Sequence, residues 1–135
     1  MSRGDLAPGA VIADRFVIQR QIGSGGMGTV YAAKQLGLGR SVAIKVIAPE
    51  DAAKPMARRR FEREARVAAA LRHPNAVEIY DFGTHDGTMY LAMELLDGLS
   101  LRSLVDIDLP PLSPRRACQI AADIASVLAS AASIG

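Results

Sequence analysis

The chain's 135 residues suffice for one compact domain, and half of them are hydrophobic, enough to build a real core. A formal net charge of +2, with basic residues scattered except at Arg58-Arg59-Arg60, is too small to imply nucleic-acid or membrane binding. The single cysteine, Cys118, excludes an internal disulfide framework and fits a reducing, cytoplasmic location.

Residues 1–14 read as an N-terminal extension, without the uninterrupted apolar run that a signal peptide needs. From Arg15 onward the pattern is that of strands: Phe16-Val17-Ile18, then Thr29-Val30-Tyr31-Ala32, then Val42 to Ile47. β-Branched and aromatic residues dominate these runs, and Gly37 and Gly39 mark a hairpin turn between the second and third. A helix is expected from about Lys54 to Leu71, with Met56, Phe61, Ala65, Ala68 and Leu71 as its apolar positions and Pro74 as its stop. Arg60/Glu64 and Glu62/Arg66 lie one turn apart on it and would support it modestly.

Two more strands follow at Val77–Tyr80 and Met89–Met93, joined by the turn-rich stretch from Gly83 to Gly87. Leu99 to Val105 reads as a short helix. Ser113 then caps a final one, with Pro114 at its first position and Ile120, Ile124, Leu128 and Ala131 on its apolar face. Asp123 and Gln119 interrupt that helix, so it is not expected to span a membrane, and its apolar side is expected to be exposed. The predicted architecture is α+β: a five-stranded antiparallel sheet with one packed helix, followed by a helical tail.

Gly23, Gly25 and Gly28 spell G-x-G-x-x-G within Ile22-Gly23-Ser24-Gly25-Gly26-Met27-Gly28-Thr29-Val30. Glycines let a backbone turn tightly and bring its N–H groups close to phosphate oxygens. A glycine-rich hairpin without a ligand gives the same letters, so context decides. A dinucleotide-binding fold needs a helix straight after the glycines, whereas β-type Thr29-Val30-Tyr31 follows. A Walker-type loop needs lysine where Thr29 stands. What fits is G-x-G-x-x-G-x-V, completed by Val30 and followed by a strand carrying Val42-Ala43-Ile44-Lys45.

A lysine within an apolar strand is anomalous, since burying an unpaired ammonium is costly. Lys45 should therefore reach solvent or face an anion, either nucleotide phosphate or a carboxylate of the following helix. Glu64 is the candidate carboxylate, and Glu62 lies about 200° round the helix from it.

Gly23 to Val30, Val42-Ala43-Ile44-Lys45, Phe61-x-x-Glu64-Ala65, Leu71-Arg72-His73-Pro74-Asn75 and Met93-Glu94 together resemble the N-terminal lobe of bacterial Hanks-type Ser/Thr protein kinases, in order and spacing. The resemblance runs from about Arg15 to the C-terminus. It implies a nucleotide-binding lobe over 15–97 and the first helices of a second lobe over 98–135. It implies that residues 22 to 30, with Gly23, Gly25 and Gly28 foremost, cover the phosphates of ATP, and that Ile22, Val30 and Ala43 sandwich the adenine. Lys45 would hold the α- and β-phosphates with Glu64 orienting it. Met93 resembles the gatekeeper, and the backbones of Glu94 and Leu96 resemble the hinge that bonds adenine.

Asp81-Phe82-Gly83 spells the family's magnesium-binding tripeptide but lies upstream of Met93-Glu94, on the wrong side of the hinge. Asp81 is expected to end a strand and Gly83 to permit the turn. No H-R-D-x-x-x-x-N occurs, as Pro74 and Asp86 follow His73 and His85. The base and the magnesium ligands that phosphoryl transfer uses are thus not found in these residues. The expectation is an ATP-binding portion of a Ser/Thr kinase, truncated before the catalytic loop and inactive alone, using ATP and, by family, magnesium that it holds with no ligand of its own. The alternative is a non-catalytic kinase-like module that binds a nucleotide or a protein partner. Neither reading requires nucleic acid or membrane.

Overall fold

In the strand Arg40–Ile47 alternate side chains part company. Val42, Ile44 and Val46 are buried in the main core, while Ser41, Lys45, Ile47 and Ala43, itself buried, point to the opposite face, as the two-residue period of a strand requires. The computed structural model to which this strand belongs describes residues 6–25, 28–47, 52–106 and 110–134. Its contacts divide into two units, Met1–Ala70 with Val77–Leu95, and Leu71–Ala76 with Leu96–Gly135.

The first unit is an antiparallel sheet of six strands: β1 (Val11–Ile12), β2 (Phe16–Gly25), β3 (Gly28–Gln35), β4 (Arg40–Ile47), β5 (Ile79–His85) and β6 (Thr88–Glu94). Their spatial order is β1-β2-β3-β4-β6-β5. The five-strand expectation is corrected by β1, which pairs Val11 with Val17 and Ile12 with Phe16 on the free edge of β2. Two residues are too few to show a period, yet Ile12 is only 3% exposed. Ala13 and Asp14, at φ 50° and 55°, form the tight turn between β1 and β2, closed by Arg15 N–H donating to Ile12 C=O at 3.1 Å. Phe16, Ile18, Tyr31, Ala33, Val42, Ile44, Val46, Tyr90 and Ala92 join Ile12 in the core on one side of the sheet.

The β5–β6 connection also differs from expectation. The turn is Asp86-Gly87 alone, with φ 48° and 76°, a two-residue hairpin of the kind whose twist matches the strands. Strand β5 therefore runs straight through Asp81-Phe82-Gly83. Gly83 is not needed for a turn; the ring of Tyr90, its partner on β6, lies against it, and a Cβ at Gly83 would crowd the Tyr90 hydroxyl at 3.1 Å and the ring at 3.2 Å.

Helix α1 (Pro55–Ala70) packs on β5 and buries Phe61 and Ala65. Met56, five residues before Phe61 and so on another side of the helix, is 84% exposed rather than part of the apolar face. Glu62 accepts from Arg58 at 3.1 Å, one turn back, and not from Arg66.

The second unit holds α2 (Leu101–Asp106) and α3 (Pro114–Ile134). The Ser113 hydroxyl accepts the Arg116 N–H at 3.2 Å, the cap expected there. His73 Nδ1 accepts the Asn75 N–H at 3.0 Å, which leaves Nε2 to donate to the Ser126 hydroxyl on α3 at 2.9 Å. By length and composition α3 could cross a membrane, and the same features suit a helix that packs among others. Ile124 and Leu128 are exposed on it.

Candidate nucleotide-binding site

The glycine motif forms the β2–β3 hairpin, pairing Gly23 with Val30, Ser24 with Thr29, and Gly25 with Gly28. Gly26 and Met27 lie outside the described residues. The three motif glycines have different causes. Gly28 sits at φ 111°, and a Cβ there would overlap the carbonyl oxygen of Val46. The fold itself demands glycine at that position. Gly23 and Gly25 have no positive φ, and a Cβ on either would meet no protein atom within 4 Å. Among the described residues, nothing in the packing calls for glycine there. Ile22 falls in the register shift between Gln21 and Gly23, where it is partly exposed, as are Ser24 and Thr29 in the hairpin to differing degrees.

Cross-strand register gathers much of the remaining set. Gly23, Val30, Lys45, Leu91 and Phe82 form one row across five strands. The adjoining row is Ala32, Ala43 and Met93, with Ile79 beyond. Directly paired residues of antiparallel strands share a face. Val30, Ala43, Lys45 and Met93 therefore occupy the face opposite the main core, below the hairpin. Ala32 and Leu91 share it and were missed from the sequence. The signal was available, because a small residue opposite Ala43 and an apolar one opposite Lys45 follow once the strands are aligned.

Lys45 is half-buried and has no ion-pair partner among the described residues. Glu64 stands on the shoulder of the buried stripe of α1, its side chain 60% exposed, and its Oε1 accepts from Arg60 Nε at 2.8 Å. That hydrogen bond and the carboxylate's charge raise the Arg60 guanidinium above its ordinary value. The carboxylate expected to orient Lys45 is thus engaged on the helix surface.

Met93 and Glu94 end β6. The Glu94 N–H donates to Glu78 C=O at 2.9 Å, and Glu94 pairs with Val42 on β4. Leu96 belongs to the second unit and is 63% exposed.

Asp81 is committed within the first unit. Its Oδ2 accepts from the Arg15 guanidinium and, at 3.0 Å, from the Tyr90 hydroxyl. The Asp81 charge is the main cause holding Arg15 above its usual pKa. Burial is the main cause raising the Tyr90 phenol, with the Asp81 bond adding to it. Among the described residues no three His, Cys, Asp or Glu side chains gather as a metal site.

The chain and its fold have relatives among known proteins. Residues 16–131 match the family described as Protein kinase domain. The chain is 42% identical over 123 residues to the Serine/threonine-protein kinase PrkC of Bacillus subtilis, covering 91% of this chain and 19% of that one. It is 43% identical over 121 residues to the Serine/threonine-protein kinase PknB of Mycolicibacterium smegmatis, with 87% and 19% covered. The chain spans about a fifth of the length of these curated relatives. Among solved structures, the Mycobacterium tuberculosis PknI kinase domain superposes with a TM-score of 0.83 at 34% identity, covering 97% of this chain and 53% of that one. The six-stranded sheet with its glycine hairpin and strand lysine therefore has a family: the chain belongs to the protein kinases, and its residues make up part of a bacterial Hanks-type Ser/Thr kinase domain.

Proposed function

We propose that the first unit grips ATP, as the nucleotide-binding part of an enzyme that phosphorylates protein Ser or Thr. The observation that carries this reading is the row Gly23–Val30–Lys45 under a hairpin two of whose glycines the fold does not need. Side chains at positions 23 and 25 would obstruct nothing among the described residues, so their absence is best explained by a ligand that must come close to the backbone. A triphosphate is such a ligand, and Lys45 supplies the cation that half-burial would otherwise make costly.

In this reading Ile22, Val30 and Ala43 enclose the adenine, Met93 bounds the pocket behind it, and the Glu94 carbonyl accepts from the exocyclic amine. Glu64 reaches an orienting role by exchanging Arg60 for Lys45. The family uses magnesium with ATP, which neutralises phosphate charge. The described residues do not fit a magnesium site: no ligand set gathers, and Asp81 is held by Arg15 and Tyr90. The proposed chemistry here is therefore binding and charge neutralisation, with no step routed through the metal. An ATP-containing, reducing cytoplasm is the setting this implies, in keeping with the single cysteine.

Titration with a fluorescent ATP analogue tests the reading. Weak saturable binding is expected, and Lys45→Ala should weaken it about tenfold, equivalent to about 1.4 kcal/mol. Tight binding that ignores the substitution would contradict it.

A further inference from the structure

The outward side of α1 carries charge that the fold does not use. Arg59, Arg63 and Arg66 follow one another at steps of four and three, so they form one stripe, roughly 150° round the helix from Phe61 and Ala65. All three are exposed. Their neighbours Arg58 and Arg60 are matched by Glu62 and Glu64. Among the described residues none of the three side chains has a hydrogen bond or an ion pair. They carry more positive charge than the chain's whole net excess of +2.

A charged helix face is ordinarily just solvated. This one also presents Met56, 84% exposed, and Val67, 42% exposed, on the same outward side. Arginine with methionine, and without Lys, Asp or Glu between them, is the composition of a protein–protein contact rather than of ordinary surface.

We propose that this face of α1 is a docking surface for an acidic polypeptide segment, one carrying carboxylates on alternate residues together with an apolar side chain. The spacing agrees: Arg59 and Arg63 are about 6 Å apart along the helix axis, and alternate side chains of an extended chain repeat at about 7 Å. Guanidinium forks bind carboxylates in bidentate fashion. The apolar side chain of the partner packs on Met56 or Val67. A bilayer fits less well, because the apolar stripe that α1 would sink into lipid, Phe61 and Ala65, is already buried in the first unit. A nucleic-acid backbone has no use for Met56. The proposal is independent of the nucleotide reading.

A fluorescein-labelled peptide alternating glutamate with leucine, titrated with the 135-residue chain and followed by anisotropy, is the test. Saturable binding should weaken at least about tenfold in Arg59→Ser/Arg63→Ser/Arg66→Ser, equivalent to about 1.4 kcal/mol. It should weaken severalfold in Met56→Ser, which leaves the charge unchanged, and be unaltered in Lys45→Ala. An unshifted thermal transition shows that these surface variants are folded. The proposal is overturned by absence of peptide binding, by equal binding to the triple variant, by equal binding to the same peptide with glutamine for glutamate, or by tighter binding to phosphatidylglycerol vesicles or a DNA duplex than to the peptide.

Discussion

Arg60 holds Glu64: the Nε of one donates to the Oε1 of the other at 2.8 Å across a single turn of α1. Both side chains are largely exposed, and exposed pairs of this kind contribute little to stability. The bond is therefore a resting partner for Glu64 that a better-placed cation can replace. Lys45, without an ion-pair partner among the described residues, is the cation in the row of Gly23 and Val30 on the site face.

Opposite effects on nucleotide affinity follow for the two members. Glu64→Gln should weaken binding of a fluorescent ATP analogue about two- to fivefold, and Arg60→Gln should tighten it by up to about twofold, as expected for exposed pairs. Neither should move the thermal transition by more than about 2 °C. Fluorescence titration paired with a melting curve separates this from a structural effect, which would shift both readouts together.

The motif glycines should divide by what they do. Gly28→Ala forces a side chain into φ 111° and against the Val46 carbonyl, and should cost about 2–3 kcal/mol of stability in urea unfolding. Gly25→Ala meets open space at an ordinary φ and should change stability by less than about 0.5 kcal/mol while still reducing nucleotide affinity.

The Tyr90 cluster makes stability depend on alkaline pH. The phenol's ordinary value is near 10, and burial, with the Asp81 hydrogen bond, raises it in the folded chain. The folded state then keeps a proton that the unfolded state gives up. This contribution is whole below pH 10 and is lost as pH rises through the folded-state value. Melting temperatures measured from pH 8 to 11 should fall at the alkaline end, and less steeply in Tyr90→Phe.

Much of this was legible in the sequence, for stated reasons. Strand β4 was legible from its run of β-branched apolar residues, within which Lys45 stood out as a site candidate, and α1 because Phe61 and Ala65 repeat at a helical step. The glycine hairpin was readable as a motif, but not which glycines the fold itself requires, because that depends on the approach of Gly28 to Val46. Strand β1 escaped because two residues have no period. Asp81-Phe82-Gly83 was recognised as misplaced for metal, yet its structural use needed Arg15 and Tyr90 brought in from two other parts of the chain. Met56 was misassigned because a five-residue step passes for helical spacing on paper while turning the side chain off the buried stripe.

The most direct test is backbone amide mapping by NMR as ATP is added to the 135-residue chain. Shift changes should concentrate at Gly23–Val30, Lys45 and Met93–Glu94, and be abolished by Lys45→Ala. Changes confined to α3, or a spectrum unaltered by saturating ATP, would contradict the assignment of the sheet as the nucleotide grip.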